Sequence, residues 1–494
     1  MKRFNKLLCF MVVFVAVMSA FCTVSFAESP FNWTSKANML TPVSGSASLN
    51  VNNNIYVFGG MVNKDGSVTD KVQVYNTTTN TWSYKTSLPT AMKSCYAVEI
   101  NGIIYIAGGT FRDNTTTSKF LAYDISTDTW NTELASLPIS LGGAPLAVID
   151  GKIYAFGGYN HINGHQSNIY IYDPSLNTWT KNSVGLNFAR QQMGLSIYDG
   201  MVFLIGGWDA NGASSIVEVF NPKTNTCTFK APLKIARTYT GTITYGGNIY
   251  VLGGRTSIPW DATDIIEKYN IQSDTWTDIG KLSYSRSYPG VALIENSVYI
   301  FGGTANLNTL IYNTTEENIF PKTPSNLIAI PGNKKVDLSW TVPTTGSAVY
   351  NIKRSTTLSG PYETITTTSA ITYTDNDVTN GTTYYYVVSA IVDGVESPKS
   401  NEVSATPTGT EEPPVITGNK AILEIVMTNG TIKEYDLTAQ EMENFLTWYD
   451  NRSEGADKAY ISIIKRSNVK PFVSRNEYLQ FKEIYSFEVK EYKE

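Results

Sequence analysis

The chain has 494 residues, 42% of them hydrophobic and 16% charged, with a formal net charge of −5. That length exceeds what one core holds and predicts two or three domains. The acidic balance, which becomes −8 once the first 27 residues are set aside, excludes nucleic acid and anionic lipid as partners, because phosphate recognition rests on clustered Lys and Arg.

At the start, Lys2, Arg3 and Lys6 precede an apolar run from Leu7 to Met18, and Ser25-Phe26-Ala27 forms a small-x-small cleavage signature before Glu28. Residues 1–27 are predicted to be a secretory signal peptide, which implies a secreted, extracellular or cell-surface location. Phe21 stands where a lipoprotein would need a small residue before Cys22, so cleaved export is the better reading. No later stretch approaches about 18 uninterrupted apolar residues, and no transmembrane segment is expected after cleavage. The mature chain keeps Cys95 and Cys227. Two cysteines make no disulfide framework, and both are expected to act as small buried hydrophobes.

Six copies of one unit follow. A glycine doublet recurs at Gly59, Gly108, Gly157, Gly206, Gly253 and Gly302, at intervals of 49, 49, 49, 47 and 49 residues. An aromatic residue stands three positions before each doublet, from Tyr56 to Tyr299. Further on, a second aromatic leads a tryptophan by seven residues in Tyr75/Trp82, Tyr123/Trp130, Tyr172/Trp179 and Tyr269/Trp276, with Phe220 and Cys227 in these places in the fourth copy. The β-branched and aromatic runs before the doublets, several led by Asn-Gly or Asp-Gly, predict hairpins. The glycines end a strand where the backbone must pass closely or take positive φ. Tyr and Trp supply the area that a unit unable to cover its own face must bury against its neighbours.

This pattern resembles the kelch repeat, which implies four strands per unit and, with six units, a six-bladed β-propeller over residues 28–320. The sixth unit has a third strand expected to end at Tyr312-Asn313 but no tryptophan after it, whereas Phe31-Asn32-Trp33-Thr34 has no hairpin of its own. The N-terminal strand is therefore expected to complete the sixth blade and remove its open edge.

From residue 321 to 408, alternating runs such as Val336-x-Leu338-x-Trp340 and Tyr384 to Ala390 resemble a fibronectin type III module, a β-sandwich with Trp340 in the core and Tyr386 near the tyrosine corner. Residues 409–418 read as a Pro- and Glu-containing linker. Residues 419–494 carry a hairpin around Asn429-Gly430, a capping box at Thr438-x-x-Glu441 opening a helix with Met442, Phe445, Leu446 and Tyr449 on its apolar face, and strands near Tyr460–Ile464 and Tyr485–Val489. This small α+β domain is similar to C-terminal domains of clostridial surface proteins. The fold class is thus mainly β: propeller, sandwich, then α+β domain.

The chemistries known on related propellers find no match. A copper site of the galactose oxidase kind needs paired histidines with a tyrosine–cysteine pair, whereas the two histidines, His161 and His165, share one loop without acidic or Cys neighbours. Neither sialidase boxes nor a Gly-x-Ser-x-Gly elbow occur, and the Asn63-x-Asp65-Gly66 segment fails the ligand positions of a calcium loop. No metal or cofactor is expected. Surface recognition of an extracellular glycan or protein, without catalysis, is the leading expectation. The alternative is an acidic-sugar enzyme of the sialic acid mutarotase (epimerase) type, since those six-bladed enzymes resemble this architecture and need no metal.

The loops after the doublets place Phe111, Tyr159, Trp208 and Trp260 as candidate ligand contacts, or as packing between loops. Sixteen residues before the doublets stand Val43, Met92 and Leu141, then Arg190, Arg237 and Arg286. Two readings are open for the arginines: each bonds loop carbonyls of its own blade, or the three form an arc that binds a ligand carboxylate.

Overall fold

The computed structural model describes residues 31–257, 261–305, 310–342, 348–392, 394–408, 420–453, 459–464 and 476–492. The expected signal peptide and linker lie outside these residues, as does Trp260. Among the described residues, no helix is long and apolar enough to cross a membrane.

Six antiparallel sheets of four strands account for residues 34–319. Sheet one runs Ala47–Val51, Asn54–Phe58, Val72–Asn76, Thr81–Lys85, and sheets two to five repeat that order. The innermost strands begin at Ala47, Tyr96, Leu146, Gly194, Gly241 and Gly290, and each neighbours the next, the last returning to the first. Two cycles of backbone hydrogen bonds tie the sheets together. In one, the second glycine of every doublet donates its N–H to the residue sixteen before the next doublet, from Gly60 to Met92 (2.8 Å) through to Gly303 to Val43 (2.9 Å), which closes the circle. Gly59 shows why the doublet is glycine: its φ is +61°, and a Cβ there would collide with the Met92 carbonyl oxygen of the next sheet.

Sheet six takes its outer strand from the N-terminal side, and its third strand differs from the one expected. Thr34–Lys36 pairs antiparallel with Thr315–Ile319 as the outer strand of sheet six. The third strand is thus Thr315–Ile319, and Tyr312-Asn313 lies in the loop before it. Asn318 takes the place that tyrosine holds elsewhere, across from Trp33, and its side chain accepts the Asn32 N–H at 2.8 Å.

The recurring Tyr, Asn/Asp and Trp form a staple between sheets. The Trp179 indole N–H donates to the Ala135 carbonyl of the preceding sheet (3.0 Å), while Asn177 Oδ1 accepts both the Ala135 N–H and the Tyr172 hydroxyl, each at 2.9 Å. Trp82, Trp130 and Trp276 repeat the indole bond, and Trp33 makes it to Lys281 at 3.1 Å. Asn177→Gly keeps a residue suited to the local φ of +50° but removes the acceptor of two donors. A loss of about 1–3 kcal/mol, read as a lower Tm, is expected.

Cys95 and Cys227 are free thiols. Cys95 is buried just before an inner strand, and burial pushes its thiol up to about 12. Cys227 faces Phe220 where other sheets pair Trp with Tyr.

Residues 325–405 carry two further sheets, one of three strands (Ser325–Gly332, Lys335–Thr341, Thr372–Asp375) and one of five built around Val349–Ser355 and Tyr384–Val392. Trp340 is buried, 5.5 Å from the Tyr350 ring. Tyr384, rather than Tyr386, has the hydroxyl that returns to the backbone, accepting the Thr379 N–H at 3.0 Å, while Tyr386 is fully buried. Residues 339–373 and 385–403 belong to the compact unit that contains the six sheets, and 329–338, 374–384 and 404–494 to a second.

Within that second unit, Lys420–Met427 pairs with Ile432–Thr438 and Ile484–Tyr492, and the helix Ala439–Ser453 packs Met442, Phe445 and Leu446 into the core, with Tyr449 against it. The capping box is formed: Glu441 N–H donates to Thr438 Oγ1, and the Thr438 N–H donates to the Glu441 carboxylate. Asn476–Gln480, paired with Tyr460–Ile464, is a strand the sequence did not signal.

Candidate functional site

The second hydrogen-bond cycle surrounds the axis. Fourteen residues before each doublet stand Gly45, Ser94, Gly143, Gln192, Tyr239 and Tyr288, all with φ between +53° and +67°. Each donates its N–H to the carbonyl of its predecessor around the circle, for example Ser94 to Gly45 at 2.7 Å and Tyr288 to Tyr239 at 2.9 Å. Positive φ in tyrosine is strained, and such backbone persists where the surroundings over-determine it, commonly at sites of function.

The circle is lopsided. Sheets one to three contribute glycine or serine, and sheets four to six contribute Gln192, Tyr239 and Tyr288. The large side chains lean into the space the small ones leave. The Tyr288 ring covers Gly45 and the Gln192 side chain covers Gly143. Tyr239 and Tyr288 stack with centroids 3.6 Å apart, and the Tyr96 hydroxyl reaches Gln192 Oε1 at 3.3 Å. These groups line an axial cavity of ≈ 200 Å³ together with Ser46, Ser48, Thr240 and Thr242, and none of its lining residues is acidic or basic. Burial raises the tyrosine hydroxyls Tyr96, Tyr239 and Tyr288 above their ordinary pKa. Thr240 Oγ1 has no hydrogen-bond partner among the described residues.

At the mouth, the residue after each doublet bridges to the residue before each circle position: Ser44 to Met61, Lys93 to Thr110, Gly142 to Tyr159, Gln191 to Trp208, Thr238 to Arg255, Ser287 to Thr304. Tyr159 and Trp208 therefore stand at the rim, half-buried, and each opens a two-residue hairpin. Phe111 instead packs against the core of sheets one and two. His161 Nδ1 bonds Thr116 Oγ1 at 2.8 Å, and His165 meets Tyr159 edge-on at 5.3 Å, its pKa lowered by burial. Lys93 is half-buried, burial lowers its pKa, and its amine meets no hydrogen-bonding or ionic partner among the described residues.

Arg190, Arg237 and Arg286 do not reach this mouth. Each guanidinium is fully buried and forms an ion pair with a glutamate of its sheet: Arg190 with Glu218 at 2.9 Å, Arg237 with Glu267, and Arg286 with Glu316 at 2.7 Å. The same group donates to the carbonyl of the first doublet glycine, as Arg190 does to Gly206 at 2.7 Å. Burial pulls all three pKa values down, and the glutamate opposes it. The carboxylate that an arc was expected to take from a ligand is supplied internally, so the carbonyl-bonding reading matches the geometry.

The glutamates carry a sequence signal of their own. They stand two residues before Phe220, Tyr269 and Asn318, where sheets two and three have Leu121 and Tyr170 opposite Met92 and Leu141. Arginine at one position therefore goes with glutamate at the other, whereas Val43, Met92 and Leu141 go with the uncharged Gln73, Leu121 and Tyr170. The circle residues could have been found the same way, as Arg-x-Gln/Tyr in one half and apolar-x-Gly/Ser in the other.

Comparison with known proteins agrees with the repeat. The KLHDC2/KLHL20/DRC7 Kelch-repeats domain matches residues 45–254 and the Kelch motif residues 236–283. An amylopullulanase of Thermoanaerobacter thermohydrosulfuricus is 48% identical over 100 residues, 20% of this chain and 7% of that enzyme. An uncharacterized protein of Clostridium acetobutylicum is 34% identical over 74 residues, 15% of this chain and 19% of that protein. The chain thus spans a small part of the curated relatives it matches. The solved structure of YjhT aligns with a TM-score of 0.49 at 16% identity, covering 57% of this chain and 96% of that one. With its six glycine doublets, its six four-stranded sheets and the two kelch matches over residues 45–254 and 236–283, the chain carries kelch repeats.

Proposed function

We propose that this chain is an exported or surface-associated recognition protein, in which six kelch blades form a propeller followed by a fibronectin type III module and an α+β domain, and that the propeller binds a glycan or protein ligand at the axial mouth without catalysis. The axial cavity carries this reading. Its hydroxyl, amide and aromatic lining suits the hydroxyls and apolar faces of a sugar, and Tyr159 and Trp208 extend that surface at the rim. Burial raises the tyrosine hydroxyls beside it, which favours their neutral, hydrogen-bonding form.

The test is a glycan panel followed by calorimetry on the full-length chain. Saturable binding is expected, and Trp208→Ala should weaken it about ten-fold or more while Tm stays within a degree or two. A panel without binders, or binding indifferent to Trp208, overturns the reading.

Lys93 favours the second reading, an enzyme acting on an acidic sugar, because a half-buried ammonium without a counter-ion invites a carboxylate. Turnover of such a sugar, followed by NMR, and its loss in Lys93→Met would decide for it. The lowered pKa sets a sign: Lys93 is charged below its pKa and neutral above. Carboxylate binding should therefore weaken with rising pH, starting at lower pH than the titration of an ordinary lysine.

A further inference from the structure

The innermost hairpin turns of the six sheets share one geometry. Their first turn residues are Asn52, Asn101, Asp150, Asp199, Gly246 and Glu295, with φ from +48° to +57°. Five are Asn, Asp or Glu, so the turn itself does not demand glycine. At Gly246 a Cβ would collide with the Glu396 carbonyl oxygen and lie 3.1 Å from its carbon and 3.3 Å from Ser397. Sheet five departs from the pattern at the one turn against which the backbone of residues 396–397 is seated.

That seating buries Val395, 2% exposed, in a cluster with Tyr245, Tyr250, Phe320 and Phe31. Phe320 lies 4.8 Å from the Tyr245 ring and 5.1 Å from Tyr250, and Phe31 meets Phe320 at 5.8 Å and stacks on Trp33 at 5.9 Å. The Tyr245 hydroxyl donates to the Pro321 carbonyl at 2.6 Å. The closing strand Thr34–Lys36 has only three residues, none buried, so it is retained largely by Phe31 and Trp33.

We infer that the short strand Val395–Glu396 is a latch for the ring: by completing the cluster that holds Phe31, it couples the seating of residues 385–403 to the closure of sheet six. The segment after the ring is in this respect a brace rather than a free spacer. Disengaging the latch loosens the closing strand without touching it.

Hydrogen exchange on the full-length chain tests this. Val395→Asp places an uncompensated carboxylate in the cluster, and peptides spanning residues 31–36 and 315–319 should exchange about ten-fold faster or more, with sheets two and three unchanged. Because Val395→Asp could also disturb its own segment, Gly246→Asn supplies a second route. It installs the residue used at Asn52 and Asn101, which the turn accepts and the latch does not, and Asp199→Asn in sheet four is its control. Faster exchange at residues 31–36 in both Val395→Asp and Gly246→Asn supports the latch. Loss of protection confined to residues 385–403, or none at all, overturns it.

Discussion

Deleting residues 31–36 is expected to lower the Tm of the ring by about 10 °C or more, far beyond the effect of trimming six residues from a free end. Three losses add. Phe31 and Trp33 leave a shared aromatic cluster, and large aromatic deletions from cores cost about 3–5 kcal/mol each. The strand Thr315–Ile319 is exposed as an open edge, and Glu317 loses the Lys36 ammonium while keeping the Tyr299 hydroxyl at 2.7 Å. The Trp33 bond to Lys281, which joins sheet six to sheet five, also disappears. Calorimetry of the deleted chain, beside a Trp33→Phe variant that keeps the strand, measures the effect. A shift of only a degree or two would mean that closure rests on the two backbone cycles alone.

The second large effect concerns the buried ion pairs. Arg237→Met alone should cost about 3–5 kcal/mol, since Glu267 would remain in the core without its partner, holding only the Lys234 N–H at 2.9 Å. Arg237→Met with Glu267→Leu should recover most of that loss, because the chain already builds sheet two with Met92 and Leu121 at these positions, both buried in one apolar cluster. Coulomb attraction in the interior scarcely exceeds the desolvation of two ions, so an apolar pair of similar volume is an adequate substitute. Urea unfolding of the single and double variants completes the cycle. A double variant as unstable as the sum of the two single ones would show no coupling between the two side chains and overturn the expectation.

These expectations separate what could be read from the chain alone from what could not. The repeat was legible because each unit cannot bury its own faces, so glycines, tyrosines and tryptophans must recur at fixed spacing wherever one sheet meets the next. A tryptophan missing at one end and surplus at the other points, for the same reason, to the pairing of Thr34–Lys36 with Thr315–Ile319. The register of sheet six was not, because Asn318 replaces the tyrosine that marks the third strand elsewhere, while Tyr312-Asn313 offers a similar pair six residues too early.

The arginines show the other limit. Their period in the sequence announced a common role, but a period of about 49 residues does not reveal which acid lies across the strand, and a charged side chain alone does not say whether it faces solvent or core. Only the register that sets Leu204 opposite Glu218 and Val251 opposite Glu267 brings each pair together in the interior. The axial circle is tertiary in the same sense. Glycine at positions 45 and 143 and tyrosine at 239 and 288 look unrelated along the chain, yet six sheets closing on one axis put them in a single hydrogen-bonded ring, where backbone strain and side-chain volume are shared among all six. The sequence by itself determined the unit and its number; the closed geometry decided which side chains are consumed by the ring and which face the mouth, because burial and partnership depend on contacts between units that no single unit contains.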